Sequence, residues 1–112
     1  MPEQPDQALQ HPLIRGPRRL VAEYAFNLGE LPTQVRIRVY QPLGKGGAEV
    51  EQSHHIQTPL QQSPSFGDDI DFKDPAAAVR ATVEQFTQHY QAAVDAGHRP
   101  DPDWLFPNRY FD

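Results

Sequence analysis

The chain contains no cysteine, which excludes disulfide staples, thiolate zinc sites and cysteine nucleophiles and fits a reducing compartment. It has no run of about 18 apolar residues, so no membrane-spanning helix is expected. The opening MPEQPDQALQ has neither the basic nor the apolar stretch of a secretory signal. A soluble cytoplasmic protein is the resulting expectation. No nucleophile elbow, zinc-binding helix motif, internal repeat or heptad array is present. Gly44-Lys45-Gly46-Gly47 lacks the spacing and the Ser/Thr of a phosphate-binding loop and suits a hairpin turn instead. Hydrophobic residues are also scarce, at 38% with mean hydropathy −0.70, so a chain of 112 residues supports one domain with a modest core.

Proline, by contrast, is abundant. Nine of the twelve prolines cluster in the first 17 residues, at 59–64 and at 100–107, and mark irregular segments. Residues 1–17 hold four of them and little periodicity, which predicts a flexible N-terminal arm ahead of one small domain over 18–112. Charge is uneven as well. Residues 1–45 carry six Lys/Arg against four acids (+2), and residues 46–112 carry four against eleven (−7), giving the net −5. An acidic total disfavours nonspecific nucleic-acid binding, although a local basic patch is compatible with it.

Hydrophobic periodicity places three strands. From Arg18 to Phe26, Leu20, Ala22, Tyr24 and Phe26 share a face. From Thr33 to Gln41, Val35, Ile37 and Val39 alternate with Gln34, Arg36, Arg38 and Tyr40, the pattern of an antiparallel strand with one wet face. Ala48 to Thr58 is a weaker return strand, with Val50, Gln52, His54 and Ile56 on one side and a bulge near Ser53. Pro59 to Lys73 is a long acidic loop, pinned to the core by Phe66, Ile70 and Phe72.

The strongest signal is a helix over 74–97. Asp74 is an N-cap, Pro75 suits N1, and Gly97 supplies the left-handed residue that ends a helix. Val79, Val83, Phe86, Tyr90, Ala93 and Val94 form its apolar stripe. The predicted fold is α+β: a three-stranded antiparallel sheet packed on one C-terminal helix (β-β-β-α). Leu20, Tyr24, Phe26, Val35, Ile37, Val39, Val50 and Ile56 should meet Val79, Val83, Phe86 and Tyr90 in the core.

The tail, 98–112, holds Trp104, Leu105, Phe106, Tyr110 and Phe111. Burying a large apolar side chain gains about 1.5–3 kcal/mol, so the tail should dock on the domain or on a partner. Trp104, Phe106, Tyr110 and Phe111 are therefore the candidate partner-binding residues of a small protein-binding or regulatory module without chemistry of its own. An unpaired sheet edge would also invite homodimerisation.

Arg18, Arg19, Arg36 and Arg38 form a second candidate set, able to meet a phosphate backbone. Glu23, Glu49 and Glu51 share their face and can pair with them across strands, at about 0.2–1 kcal/mol each. Strands followed by Gly67-Asp68, then a helix ending at Gly97 before Pro100 and Pro102, are loosely similar over the C-terminal half to HicB-type antitoxins. That resemblance implies a nucleic-acid-associated regulator. The chain departs from the family at Thr58-Pro59-Leu60-Gln61, where the Pro-Asp-Leu-Pro-Gly-type turn is absent. A third set, His54 and His55 with Asp68, Asp69, Asp71 and Asp74, has the atoms for a metal-dependent enzyme. Adjacent strand residues point to opposite faces, however, and the acids lack EF-hand spacing, so neither metal nor cofactor is expected.

Overall fold

The computed structural model describes residues 5–64 and 72–111. Its elements are α1 (Pro5–Ala8), β1 (Arg18–Asn27), β2 (Gln34–Pro42), β3 (Glu49–Gln52), β4 (His54–Ile56), α2 (Pro75–Asp95), a 3-10 turn (Pro102–Trp104) and β5 (Leu105–Pro107). β1, β2 and β3 form a three-stranded antiparallel sheet in that order, with α2 across β2 and β3, the α+β arrangement predicted from periodicity. β4 and β5 add a second, two-stranded antiparallel sheet.

The central strand behaves as its alternation dictates. Val35, Ile37 and Val39 are fully buried, while Arg36, Arg38 and Tyr40 line the opposite face. The helix ends also follow from sequence. Asp74 Oδ1 accepts the Ala77 N–H at 2.8 Å, Pro75 opens the first turn, and Gly97 takes φ 92°.

The buried face of α2 is the expected stripe turned slightly, with Phe86, Ala93, Val79 and Tyr90 kept, Ala78 and Thr82 added and Val83 left outside. Ala78, Thr82, Phe86 and Ala93 are buried, Val79 and Tyr90 are partly buried, and Val83 is 36% exposed. Small side chains at 78, 82 and 93 let the helix approach the sheet closely. Thr82 enters the interior because its hydroxyl donates to the Ala78 carbonyl at 2.9 Å. Phe86 fills the centre and meets Phe26 edge to face at 5.9 Å.

β1 departs further from expectation. Leu20 and Tyr24, both expected in the core, are each 50% exposed. A register shift between Leu20 and Ala22 sets Leu20 opposite Tyr40, on the outer face, and Ala22 opposite Val39, on the inner one. Tyr24 does lie on the inner face, opposite Ile37, but α2 does not reach across β1 to cover it.

The third expected strand is cut in two at Ser53. The Ser53 N–H donates to Arg36 O at 2.8 Å, and Ser53 Oγ accepts the Arg36 N–H at 2.8 Å. The hydroxyl thereby replaces the Ser53 carbonyl, which turns away and accepts the Asn108 N–H at 2.8 Å. The chain leaves the first sheet at this residue, and β4 pairs with β5, His55 lying opposite Phe106.

Two connections complete the core. Leu28 and Leu31 are buried in the turn after β1, where Gly29 at φ 53° lies so close to Tyr90 that a Cβ would collide with the ring. Phe72 packs against the core and exchanges two backbone hydrogen bonds with Ala48, while Phe66 and Ile70 lie outside the described residues.

Candidate functional site

The outer sheet face carries Arg18, Arg36 and Arg38 of the arginine set, engaged by acids of the same sheet, whereas Arg19 alternates to the other side and meets an acid of α1. Arg36 donates to Glu23 from Nε at 3.0 Å and from Nη2 at 2.8 Å, and Arg38 Nε lies 3.6 Å from the other Glu23 oxygen. Arg18 pairs with Glu49 at 3.2 Å and Glu51 at 3.8 Å and stacks 3.8 Å above the Tyr40 ring. Arg19 meets Asp6 at 3.4 Å. The Arg36 hydrogen bond, outweighing desolvation, holds the Glu23 carboxyl below its usual range, and hydrogen bonding to Glu51 raises the Tyr40 phenol. Each cross-strand partner anticipated in the sequence is thus in contact. A phosphate backbone approaching this face would have to displace Glu23, Glu49 and Glu51.

The aromatic set is divided among different environments. Trp104 is 5% exposed and packs edge to face on Tyr90 at 5.7 Å, so it belongs to the interior rather than to a contact surface. Phe106 is half-buried against the His55 ring, and Phe111 is half-buried with Arg38 4.1 Å from its ring centre. Tyr110, 82% exposed, is the single member of the four that remains open.

At the third set, Ser53 Oγ and His54 Nδ1 lie 2.8 Å apart. A serine–histidine contact invites a catalytic reading, but Ser53 Oγ also accepts the Arg36 N–H where the strand breaks. No carboxylate orients His54 among the described residues, as a nucleophile's base requires. Burial, and then the neighbouring His55, push the His54 pKa down. Asp68, Asp69 and Asp71 lie outside the described residues, and among the described residues no three His, Asp or Glu side chains could hold a metal together.

The feature that sequence reasoning did not anticipate is an open apolar groove of about 490 Å³ between β1 and α2. Val21, Ala22 and Tyr24 form one wall, Pro75, Val79 and Val83 the other, and Arg80 stands at its margin. It exists because α2 is seated over β2 and β3, which leaves Val79 and Val83 facing an uncovered strand. The stripe Val79/Val83 was visible in the sequence. The bulge at Val21 and the lateral offset of the helix were not, because no local residue pattern encodes them.

β1 is also one of the two edge strands of its sheet. Arg36 directs both its N–H and its C=O to Ser53, so alternation directs those of Val35 and Ile37 to β1. Their partners Phe26 and Tyr24 face β2 in return, which leaves the N–H and C=O groups of Glu23 and Ala25 at the open edge. Among the described residues, an unpaired stretch of backbone at Glu23 and Ala25 therefore runs beside an unfilled apolar groove. No family model matches this chain, and searches of curated proteins and of solved structures find no match to it.

Proposed function

We propose that this protein is a small protein-binding module without chemistry of its own, acting in the cytoplasm through the edge of β1 and the adjoining groove. One observation carries this reading: among the described residues, nothing covers the β1 edge at Glu23 and Ala25 or the apolar groove next to it. Bare edges are templates for another chain, and natural proteins usually blunt them. Contiguous exposed apolar surface such as that around Val21, Tyr24 and Val83 commonly marks an interaction site. The arginine face supports a protein rather than a nucleic-acid partner, because its charges already meet acids of the same sheet.

A photo-crosslinking residue placed at Tyr24 in cells tests this directly. The same group at exposed Gln88 serves as the control. Discrete adducts at position 24, identified by mass spectrometry and lost on Val83→Glu, are the expected result. Adducts at position 24 no more frequent than those at Gln88 would overturn the proposal.

A further inference from the structure

We infer that His54 makes the junction between the two sheets sensitive to acid: its protonation loosens the β4–β5 ribbon and the tail that the ribbon holds. This device is separate from the β1 groove and holds or fails independently of it. Its centre is Ser53, where the chain changes sheets. Ser53 Oγ receives the Arg36 N–H at 2.8 Å and lies 2.8 Å from His54 Nδ1. A hydroxyl also has one hydrogen to give, and the acceptor in contact with it among the described residues is Nδ1. Neutral His54 therefore accepts at Nδ1 and carries its own hydrogen on Nε2. A second proton can enter only at Nδ1. It turns the acceptor into a donor aimed at an oxygen that already receives one, and the serine hydrogen loses its partner.

The surroundings give an imidazolium no compensation. His54 is half-buried, and the charged group acting on it is His55, a neighbour of the same sign when protonated. β5 sets Pro107 opposite it. β2 contributes the Arg36 backbone, the guanidinium being turned to Glu23. From α2, neutral Gln85 reaches Gln52, whose Nε2 donates to His54 O at 2.9 Å. Among the described residues no carboxylate pairs with His54. Burial and His55 accordingly hold its folded-state pKa below 6.5. Stability supplied by the neutral ring is thus complete above pH 6.5 and is lost as pH falls through the lowered folded value.

The ribbon feels this because it hangs from the same residue. Ser53 O accepts the Asn108 N–H at 2.8 Å, and Asn108 Nδ2 donates to Gln52 O at 3.0 Å. Turning the Ser53 side chain moves the carbonyl that holds the first rung. The far rung, from the Gln57 N–H to Trp104 O, places the chain's one tryptophan in the ribbon's path, 5% exposed.

Urea unfolding of the full chain, followed by Trp104 emission and by far-UV circular dichroism, tests the device at about pH 7.5 and about pH 5. Both conditions lie above the range in which Glu23 titrates. The two transitions should coincide at the higher pH. At the lower, the tryptophan transition should come at less urea than the dichroism, since the open fraction rises by up to about tenfold per pH unit below 6.5. His54→Asn keeps an acceptor where Nδ1 stood and cannot titrate, so its transitions should coincide at both. Nitrogen NMR of the wild type should show His54 protonated on Nε2, with a midpoint below 6.5 that moves upward in Ser53→Ala. Coincident wild-type transitions at both pH values would overturn the inference. So would an equal separation in His54→Asn, or a His54 midpoint at or above 6.5.

Discussion

Replacing Gly29 by alanine tests how the turn after β1 is locked to the helix. Gly29 sits at φ 53°, where an L-residue costs about 1–2 kcal/mol. The new Cβ would also overlap the Tyr90 ring, so the ring must swing aside. That movement breaks the hydrogen bond in which the Glu30 N–H donates to Tyr90 Oη at 3.1 Å, worth about 0.5–1.5 kcal/mol. It also disturbs the edge-to-face contact with Trp104 at 5.7 Å, worth a further 0.5–1.5 kcal/mol or so. The loss should therefore lie near 2–5 kcal/mol. For 112 residues each kcal/mol moves Tm by about 4 °C, so calorimetry should record a fall of roughly 8–20 °C. A double-mutant cycle isolates the cause. In a Tyr90→Ala background the same substitution should cost only the backbone strain, about 1–2 kcal/mol. If the two single losses simply add, the close approach of Gly29 to Tyr90 is not what the turn depends on.

Phe86→Ala should cost about 3–5 kcal/mol in urea unfolding, because the ring is fully buried and meets Phe26; a Tm shift of a degree or two would show that this position is not the centre of the core. Trp104→Ala should be comparably damaging, at about 3–5 kcal/mol, whereas Tyr110→Ala, at an exposed site, should stay within about 0.5 kcal/mol; equal effects would contradict the docking of the tail. Glu23 is held below its unfolded pKa of 4.5 by Arg36 and Arg38, so its stabilising effect is complete above pH 4.5 and disappears as pH falls through the lowered folded value. Stability profiles of wild type and Glu23→Gln should accordingly converge in acid and separate above pH 4.5, and parallel profiles would refute that assignment.

The periodicity of β2 and the start and stop signals of α2 were legible because both are local. Alternation fixes which residues of β2 face inward, and Asp74, Pro75 and Gly97 act within a turn of their own positions. The break at Ser53 was half legible. A serine in a weak strand suggests a bulge, but the carbonyl acceptance from Asn108, 55 residues later, is a tertiary event. The burial of Ala78 and Thr82, with Val79 only partly buried and Val83 exposed, was not legible at all. Hydrophobicity ranks valine as the core residue, whereas the distance between helix and sheet rewards small side chains. The groove arises from that same shift, since partly buried Val79 and exposed Val83 became its wall. The paired arginines were readable because strand register set Glu23, Glu49 and Glu51 on their side. Their engagement explains the arginines without a ligand.

The transfer of the chain at Ser53 from one sheet to the other also divides the molecule kinetically. β1, β2 and β3 are joined by short connections, whereas His55 and Phe106 meet only after a loop of about fifty residues closes, at an entropic cost that grows with the logarithm of its length. The β4–β5 ribbon should therefore form last and open first, releasing Trp104 and Leu105 with it. In hydrogen exchange the amides of Gln57 and Asn108, which bond to Trp104 O and Ser53 O, would then exchange together as one cooperative unit, ahead of those linking β1 to β2. One serine hydroxyl, standing in for a carbonyl, marks the border between the two units.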